Sequence, residues 1–340
     1  MKRIHGKPFN YFKLGKSFQE GRSFMEHLKS SAELLVKEAV QNSELVTVQK
    51  CPVCASSAIK PLATIHKFEY HQCQNSKCRH VFISKLVSEK LRSDFFSRDN
   101  EYSQKNYCDP KLSEFRIKEI AIPKIDYALS GASPRANSWL DVGCGSGEIL
   151  SVVKKKGWKT IGLELSIQDI EFGKKQFGVD IRKQTLEEFA TGTNEKFDVV
   201  SFFGVIHCVP EPKALVECAA KLLNPGGILV AELSHHESLE AAAVQTFPHN
   251  PSRSFYNGTT TIQYFTTDSA SLMFASAGLK PESVWFYGTD IFEILNQWCF
   301  SSANFAESAL YHEILTLAND LQAVIDRNEK SSSMLWVAKK

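Results

Sequence analysis

Residues 139 to 147 read Trp-Leu-Asp-Val-Gly-Cys-Gly-Ser-Gly, an apolar strand that runs directly into a turn with glycine at every second position. Glycine adopts left-handed backbone conformations at little steric cost, and it lets a ligand lie against bare main chain. A second apolar segment, residues 160 to 163, ends at Glu164, whose carboxylate can accept hydrogen bonds from a ribose. This combination is typical of the nucleoside-binding half of a doubly wound α/β sheet, whose site lies outside the carboxyl ends of the strands.

The spacing of the glycines separates two kinds of nucleoside site. A dinucleotide fingerprint needs a further glycine at position 148 or 150, and this chain has Glu148 and Leu150 there. The pattern D-x-G-x-G-x-G at 141–147, with an acid closing the next strand, resembles class I S-adenosylmethionine-dependent methyltransferases. Residues 197–203 resemble the fourth strand of that family, and residues 223–230 resemble its turn into the fifth strand. Four motifs in the family's order favour this interpretation over a tight glycine turn in another kind of α/β protein.

Strand and helix patterns alternate around this turn. They predict an α/β fold with a doubly wound, Rossmann-like sheet of seven strands, and the resemblance implies that the last strand runs antiparallel. A helical insertion is expected at 289–330, strongest at 304–328, as a lid, a wall of the substrate site or a dimer contact. The strands are expected near residues 137–142, 160–164, 179–182, 198–203, 228–233, 281–286 and 335–338, with helices after the first five.

The composition suits one large domain with a small accessory one. A chain of 340 residues, 43% of them hydrophobic, can bury a sizeable core. No stretch approaches the roughly 18 consecutive apolar residues of a membrane span, so we expect a cytoplasmic protein. The nine cysteines are an odd number, which argues against a complete disulfide framework and favours reduced thiols.

Four of the cysteines form two pairs ahead of the sheet. Two residues separate Cys51 from Cys54, and four separate Cys73 from Cys78. Two such pairs, with eighteen residues between them, suit a tetrahedral Zn²⁺ site. A segment this short cannot fold on apolar burial alone, so the metal would supply folding energy. Four unliganded cysteines in turns are the alternative. The longer second spacing also leaves three histidines open as substitute ligands, namely His66, His71 and His80.

Patterning divides the chain into five segments. An amphipathic helix is expected at 17–41, and its mixed charges favour packing on the rest of the chain over a membrane surface. The cysteine segment is expected to be a separate unit with a hairpin of strands at 62–65 and 68–72. The predicted segments are an N-terminal helix at 1–47, a zinc-ribbon-like module at 48–88, a helical and aromatic-rich entry segment at 89–134, a methyltransferase core at 135–286, and the insertion with the last strand at 287–340.

The resemblance assigns cofactor contacts to the turn and to the ends of the neighbouring strands. Thr185 stands where the family usually has an aspartate near the adenine amino group, and a hydroxyl can accept the same hydrogen bond without charge. Phe203 is equally consistent with an ordinary core aromatic. The expected contacts are Asp141, Gly143, Cys144 and Gly145 at the methionine end of S-adenosylmethionine, Glu164 at both ribose hydroxyls, Leu165, Thr185 and Leu186 at the adenine, and Phe203 and Gly204 beside the sulfonium.

The turn after the fourth predicted strand carries the leading candidate for a general base, His207. Residues 204–210 follow that strand directly and therefore lie at the rim of the cleft. A hydroxyl acceptor needs a base of near-neutral pKa within one hydrogen bond. His235 and His236, just beyond the fifth strand, are competing bases, and a structural role for His207 is the alternative.

The whole arrangement is similar to zinc-containing methyltransferases that act on sugars and related small molecules. Members of that group that methylate sugar carbon carry a glutamate-histidine pair before a tyrosine-phenylalanine stretch. The matching residues 261–266 read Thr-Ile-Gln-Tyr-Phe-Thr and lack both. The resemblance therefore implies transfer to a hydroxyl of a sugar, a nucleotide-sugar or a glycan intermediate. Asp290 is expected either to contact a sugar hydroxyl or to cap the helix that begins at Ile291.

Two other functions compete with a small-molecule methyltransferase. Residues 45–90 contain seven Lys or Arg against two Glu, which is basic enough for the phosphates of an RNA substrate. The formal charge of the whole chain is only +2, which argues against a broad nucleic-acid footprint. A non-catalytic docking protein with a degenerate core is disfavoured because the other cofactor motifs are intact. The expected partners are a small-molecule substrate and, as an open alternative to the monomer, a second copy of the chain in a homodimer.

Overall fold

A computed structural model describes residues 1–6, 18–91, 108–133, 136–252, 256, 258–302 and 304–340 of the chain. These residues form one large sheet, a four-stranded sheet and a two-stranded sheet. The strands are β1 Lys2–His5, β2 Leu45–Thr47, β3 Ile59–Ile65, β4 Phe68–Cys73, β5 Val81–Ile83, β6 Lys85–Val87, β7 Ser138–Val142, β8 Lys159–Leu163, β9 Ile181–Arg182, β10 Phe197–Phe203, β11 Leu223–Ser234, β12 Gln263–Tyr264, β13 Lys280–Tyr287 and β14 Ser333–Lys339.

The large sheet is a doubly wound, Rossmann-like sheet with the order β1-β13-β14-β11-β10-β7-β8-β9. Its strands are parallel except β14, which runs antiparallel to both β11 and β13. The strand order changes direction at β7, which is the switch point where doubly wound folds bind their ligands. The carboxyl ends of β7, β8, β10 and β11 meet at one edge, so the residues that follow these strands lie close together.

The sheet has eight strands instead of the predicted seven. All seven predicted strands are present, although the one expected at 179–182 is only Ile181–Arg182. The additional strand, β1, pairs in parallel with β13 at the edge of the sheet, and the Trp285 Nε1 donates to the Gly6 carbonyl at 2.6 Å. Three of the four residues of β1 are Lys, Arg or His, so the sequence has no alternation of apolar residues that would predict this strand. Its extended state depends on the edge of β13, which is a tertiary effect.

The central strands alternate their side chains between two apolar layers. Trp139 and Val230 lie in the layer on one face, and Leu140 and Leu229 lie in the layer on the other, all fully buried. Because helices cover both faces, these strands read as continuous apolar runs in the sequence. That is why the core strands were located correctly from the pattern.

The helices follow the strands as predicted, with one after each of the first five core strands. The insertion contains two long helices separated by a short turn. The helices are Phe18–Gln41, Pro110–Arg116, Ile122–Leu129, Glu148–Lys155, Ile167–Phe177, Leu186–Thr191, Pro212–Leu222, Leu239–Thr246, Thr267–Ser276, Asp290–Ser301 and Ala309–Arg327, with a π-helical turn at Ile117–Ala121 and 3₁₀ turns at Ile206–Cys208 and Phe305–Glu307.

The cysteine segment shares its sheet and its core with the later chain instead of standing apart. The predicted hairpin is present as β3 and β4. Beyond it, β5 pairs with β4 on one side and with β12 on the other. Cys51, Cys78 and Phe82 belong to the same buried cluster as Phe265 and Phe274 of the core. A partner strand from so far along the chain leaves no local signal, which is why the segment read as a separate unit.

The N-terminal helix Phe18–Gln41 packs on the rest of the chain, as its mixed charges predicted. Ala32, Leu35 and Ala39 lie in a buried cluster with residues of β3 and β4, whereas Met25 contacts the C-terminal helices through Leu295. No helix in the described ranges is both long enough and apolar enough to span a bilayer. Four aromatic residues predicted for the entry segment, Phe95, Phe96, Tyr102 and Tyr107, lie outside the described residues.

Asp290 is buried and does not cap its own helix. The helix Asp290–Ser301 has Thr289 at its N-cap with no side-chain cap bond. Asp290 itself is fully buried, and it accepts hydrogen bonds from the main-chain N–H of Glu240 at 2.9 Å and of Ser332 at 3.0 Å. The expected cap of the helix at Ile291 was wrong, because the carboxylate instead holds together three segments that are distant in the sequence, and its burial disfavours the alternative of a sugar contact.

Substituting the ring that joins the two sheets tests the shared core. Phe82→Ala leaves a cavity under β5, so we expect the free energy of unfolding to fall by about 3–5 kcal/mol. The five tryptophans all lie outside residues 48–88, so their fluorescence during urea unfolding reports on the methyltransferase core. Phe172→Ala, at a half-buried position of Ile167–Phe177, is the control and should lose less stability. An unchanged urea midpoint in Phe82→Ala would contradict a shared core.

Candidate active site

The glycine-rich turn after β7 is fastened to the neighbouring strand. The main-chain N–H groups of Gly143 and Cys144 both donate to the Leu163 carbonyl, at 2.8 and 3.0 Å. Gly143 has a φ of +66°, and a Cβ there would lie 2.4 Å from a methyl carbon of Val205. Gly147 has a φ of +80° at the N-cap of Glu148–Lys155. Glycine is therefore required for the handedness of this turn and for its close approach to the chain beyond β10.

The Glu164 carboxylate lies across the mouth of the turn. Its Oε2 accepts a hydrogen bond from the Gly145 N–H at 2.9 Å. Its Oε1 accepts from the N–H groups of Leu165 and Ser166, at 2.7 and 2.9 Å. Three main-chain donors thus fix the carboxylate at the end of β8. They use three of its roughly four lone-pair sites and leave one on Oε2, so a second hydroxyl donor would share an oxygen that already accepts. The next side chain, Leu165, is 59% exposed and offers an apolar surface beside it.

Asp141 is buried at the end of β7 and faces β10. The Ser201 hydroxyl donates to Asp141 Oδ1 at 2.6 Å, and Trp139 Nε1 donates to that Ser201 oxygen at 2.7 Å. Burial raises the pKa of the Asp141 carboxyl to about 7 although the Ser201 hydrogen bond opposes the shift. A cationic ligand group nearby would favour the charged carboxylate.

The Thr185 hydroxyl caps a helix. Thr185 is the N-cap of Leu186–Thr191, its Oγ1 accepts from the Glu188 N–H at 3.2 Å, and Glu188 Oε2 accepts from the Thr185 N–H at 2.8 Å. Threonine followed three residues later by glutamate is a capping box, a signal visible in the sequence that the adenine interpretation overlooked. The following Leu186 is buried. The hydroxyl expected at the adenine amino group is therefore engaged in the fold.

An ion pair lies at the end of β11, beside the end of β10. Phe203 and Glu232 are direct partners in the β10 and β11 register. Lys124 Nζ donates to Glu232 Oε2 at 2.7 Å, and the Tyr287 hydroxyl donates to the other carboxylate oxygen. Burial opposes the charge of Glu232, but the Lys124 ammonium holds the pKa of this carboxyl below its usual value. The Lys124 nitrogen lies 5.6 Å from the centre of the Phe203 ring.

Sequence reasoning missed this group. The one available signal was Glu232, a single acid inside the otherwise apolar run of β11. Lys124 and Tyr287 reach it from the helix Ile122–Leu129 and from β13, so their convergence depends on the tertiary fold. These side chains lie beside Phe203, which is predicted to face the sulfonium. They are polar, but they are paired with one another.

The three candidate histidines lie in different environments. His207 is in the 3₁₀ turn after β10, with Nδ1 3.3 Å from the Ser234 hydroxyl. Ser234 is two residues beyond Glu232, so it lies on the same face of β11. Burial lowers the pKa of His207 to about 4, so the imidazole is neutral at pH 7 and can accept a proton only weakly.

His235 and His236 are committed to other contacts. His235 is 2% exposed, and its Nδ1 lies 2.9 Å from the Ser331 carbonyl, which only accepts, so Nδ1 carries the proton. The His236 Nδ1 lies 3.0 Å from the Tyr256 hydroxyl. These positions favour His207 over both competitors as the histidine nearest the acceptor side.

The four cysteines of the two pairs converge on one point. Their sulfur atoms all lie within 4.8 Å of one another, with Cys51 Sγ 3.7 Å from Cys78 Sγ and Cys54 Sγ 3.5 Å from Cys73 Sγ. Four sulfurs bonded tetrahedrally to Zn²⁺ at about 2.3 Å would lie about 3.8 Å apart. The donor set and its spacing therefore fit a zinc ion.

The two pairs use the same turn in spite of their different spacing. In the first, the Ala55 N–H donates to the Cys51 carbonyl, and in the second the Arg79 N–H donates to the Asn75 carbonyl. Ala55 and Arg79 both have positive φ, +58° and +52°. Asn75 thus occupies the turn position of Cys51, while Cys73 enters from the end of β4. This geometry accounts for the four intervening residues, so no histidine is needed to complete the set.

The three histidines proposed as substitute ligands lie outside the cysteine cluster. His66 Nε2 is 2.9 Å from the Asn250 carbonyl, and His80 Nε2 is 2.7 Å from Gln263 Oε1. His71 belongs to β4 and pairs with Phe82 and Pro61. The cysteine set is therefore favoured over the alternative in which one of these histidines substitutes for a cysteine.

The thiols influence one another strongly. The hydrogen bond from Cys78 lowers the pKa of Cys51 to about 6, whereas that same bond and burial raise the pKa of Cys78. Burial raises the pKa of Cys73 to about 12. Several thiolates cannot coexist here without a cation, which is the electrostatic condition of a cysteine metal site.

The fold and the cofactor turn define the class as the class I S-adenosylmethionine-dependent methyltransferases. Comparison with known proteins agrees, because residues 113–284, about half of the chain, match a family model described as a methyltransferase domain. The chain belongs to this methyltransferase domain family and is an S-adenosylmethionine-dependent methyltransferase.

Curated relatives share part of the chain. A ubiquinone biosynthesis O-methyltransferase of Dechloromonas aromatica is 34% identical over 133 residues, which cover 36% of this chain and 54% of the relative. One of Pasteurella multocida is 26% identical over 144 residues, which cover 38% of this chain and 60% of the relative. The chain thus spans between half and three fifths of these relatives. Among solved structures, an S-adenosylmethionine-dependent methyltransferase from Archaeoglobus fulgidus matches 70% of this chain and 98% of its own length, with 17% identity and a TM-score of 0.45.

Proposed function

We propose that this methyltransferase transfers a methyl group to a hydroxyl of a small molecule, with a sugar, nucleotide-sugar or glycan intermediate as the acceptor class. The observation that carries the proposal is the edge of the sheet where the glycine turn, held by Glu164, packs on Val205. Val205 lies two residues beyond Phe203, whose partner across the sheet is Glu232. The relatives named O-methyltransferases support an oxygen acceptor, and the cysteine module before the core supports the sugar class.

The cofactor side is assigned to residues of β7, β8 and their turns. Glu164 would accept hydrogen bonds from both ribose hydroxyls, and Leu165 would lie on the adenine with Thr185 and Leu186 behind it. The main chain of the turn would hold the methionine end beside Asp141. The bound cofactor supplies a methyl group on positively charged sulfur. This chain's contribution is to hold the acceptor in line and to exclude water.

The acceptor side is assigned to Phe203, Gly204 and His207. The neutral His207 would take the hydroxyl proton at Nε2, because its Nδ1 is directed at Ser234. Of the two histidines proposed as catalytic, His235 is the weaker candidate because it is buried against the Ser331 carbonyl. Gln263, at the place where carbon methyltransferases have their acid-histidine pair, is buried and bonded to the fold, which favours a hydroxyl over a carbon acceptor.

The basic residues of the cysteine module support a small acceptor better than RNA. Arg79 is paired with Glu237 and with Asp268, the latter at 2.8 Å. Lys85 is paired with Glu69 at 3.1 Å. These pairs neutralise part of the local charge that an RNA backbone would need.

A zinc ion at the four cysteines is the second part of the proposal. Cys51, Cys54, Cys73 and Cys78 would hold it as thiolates, closing the ends of β3, β4 and β5. Because the module shares its core with the methyltransferase sheet, the metal would stabilise the whole chain and not only residues 51–83.

A homodimer would use the C-terminal insertion. One face of Ala309–Arg327 exposes Leu310, Leu317, Leu321 and Val324, at positions that repeat with the helical period. Exposed leucines in such a row favour contact with another apolar surface.

The acceptor class can be tested with methyl-labelled S-adenosylmethionine. We expect label to enter the small-molecule fraction of a nucleotide-sugar panel and not total RNA in a parallel reaction. Label recovered on RNA, with none on the small molecules, would contradict the proposal and favour the nucleic-acid alternative.

Removing the Glu164 carboxylate should weaken cofactor binding tenfold or more, about 1.4 kcal/mol. The ribose loses its acceptor, and the Gly145 N–H loses its partner. Calorimetric titration with S-adenosylhomocysteine measures the effect, with Glu171→Ala on the exposed side of the next helix as the control. Equal affinity in Glu164→Ala and wild type would show that the ribose lies elsewhere.

Elemental analysis should find one zinc ion per chain. The Cys54→Ser variant should lose the zinc ion. Its melting temperature should fall, because one of the four thiolates that would bind the ion next to the shared core is removed. Cys218→Ser, outside the cluster, is the matched control and should keep the metal. Wild-type protein purified without zinc or another metal would refute this site.

The His207 imidazole should titrate near pH 4 in nitrogen-15 spectra of the folded protein. Its folded pKa lies below the unfolded value near 6.5, so the unfolded chain binds the proton first. The free energy of unfolding should therefore fall as the pH drops from about 6.5 to 4, and this contribution should vanish in His207→Asn. A folded-state pKa above 6 would contradict burial of this ring.

A further inference from the structure

Gln263 is a buried glutamine in the strand β12 that completes the module's sheet. Its Nε2 donates to the carbonyls of Val209 and Pro210, the latter at 3.0 Å. Its Oε1 lies 2.7 Å from His80 Nε2. An amide oxygen only accepts, so His80 is the donor. If the Gln263 amide were flipped, its oxygen would face two carbonyl oxygens, which cannot donate a hydrogen bond. The partners therefore determine the orientation of this amide.

One end of this network is fixed at the cysteine cluster. His80 is two residues beyond Cys78, and its carbonyl accepts from the Cys73 N–H at 2.9 Å. The Cys78 carbonyl accepts from the Thr266 hydroxyl at 2.7 Å. Both cysteines of the second pair thus hold the segment that presents His80 to Gln263.

The other end is the turn that carries His207. The Ile262 N–H donates to the His207 carbonyl at 2.9 Å, and the Ile262 carbonyl accepts from the Ile83 N–H at 3.0 Å. Val209 and Pro210 are the residues directly after this turn. The turn is consequently held to the module's sheet at His207 and again at Val209 and Pro210.

We propose that Gln263 is a positioning residue, which transmits the order of the four-cysteine site to the turn that places His207 at the acceptor edge. This inference rests on the role proposed above for His207. It gives the cysteine module a part in methyl transfer although none of its residues touches the reacting atoms. The module would act by fixing the carbonyls of Val209 and Pro210 through Gln263, and the carbonyl of His207 through the Ile262 N–H.

The experiment compares Gln263→Met with Gln322→Met in the full chain. Methionine keeps the length and volume of glutamine but offers no amide. Gln322 is an equally buried glutamine, bonded to Asp290 and Asp326 far from the His207 turn. Both variants lose stability, so the melting temperature serves only to match them. Gln263→Glu is the second variant, because it keeps the acceptor for His80 and loses the donor to Val209 and Pro210.

Two readouts follow the turn without any acceptor substrate. Hydrogen exchange of the segment 204–211 should rise about tenfold or more in Gln263→Met and in Gln263→Glu, and stay within about twofold of wild type in Gln322→Met. The nitrogen-15 signals of the His207 ring, assigned by their loss in His207→Asn, should shift in both Gln263 variants only. Equal changes in Gln263→Met and Gln322→Met would mean general destabilisation and would overturn the proposal.

A metal chelator provides the second arm. Chelation should move the His207 signals in the wild-type protein, and by less than half as much in Gln263→Met, where the connection is already broken. The same movement in both proteins would overturn the transmission through Gln263. Calorimetry with S-adenosylhomocysteine tests the proposed function separately. A wild-type protein that does not bind this ligand would refute the function, whereas the hydrogen exchange and the His207 signals test only the link between Gln263 and the turn.

Discussion

The contact between Gly143 and Val205 is the constraint around which the candidate site is arranged. The hydrogen atom of a glycine is all that fits there, since a Cβ would come within 2.4 Å of a Val205 methyl carbon. Val205 begins the turn that carries His207, so the turn proposed to hold the cofactor packs directly on the turn proposed to face the acceptor. Glu164 fixes the same turn from the other side through the Gly145 N–H. A displacement of either turn would therefore move the other, so in the proposed site the methyl donor and the acceptor would be aligned together.

Two acids at this edge, Asp141 and Glu232, differ in how their charge is stabilised. Burial raises the pKa of the Asp141 carboxyl to about 7, against the hydrogen bond from Ser201. Glu232 lies in a partly buried ion pair, in which the Lys124 ammonium holds the pKa of the carboxyl below its normal value. The edge assigned to the cofactor can thus gain a negative charge when a cation approaches Asp141, whereas the Lys124–Glu232 pair is already neutral. This difference would suit a positively charged methyl donor, because its charge would be compensated at Asp141 without attracting it toward Glu232.

The sequence predicted the parts of this site whose signals are local. Residues 139–147 combine a buried strand with three glycines, and the apolar runs on either side identify the parallel sheet. The edge strand β1, the Lys124–Glu232 pair and the partnership of β5 with β12 could not be predicted, because each is formed by residues far apart in the chain. Thr185 is a different case: its capping box is a local signal that is visible in the sequence, and the family resemblance drew attention to the adenine instead.

The shared core changes what a metal would contribute to this protein. A zinc module that folds alone gains most of its stability from the ion, because it buries little apolar surface. Here Phe82 packs with Phe265 and Phe274, and β12 supplies the partner that the edge of β5 would otherwise lack. A metal ion would then have a narrower role, which is to hold the ends of β4 and β5 at a fixed separation. His80 lies next to the start of β5 and is joined through Gln263 to the carbonyls of Val209 and Pro210, so a metal would stabilise a region of the module that adjoins the edge proposed for the acceptor.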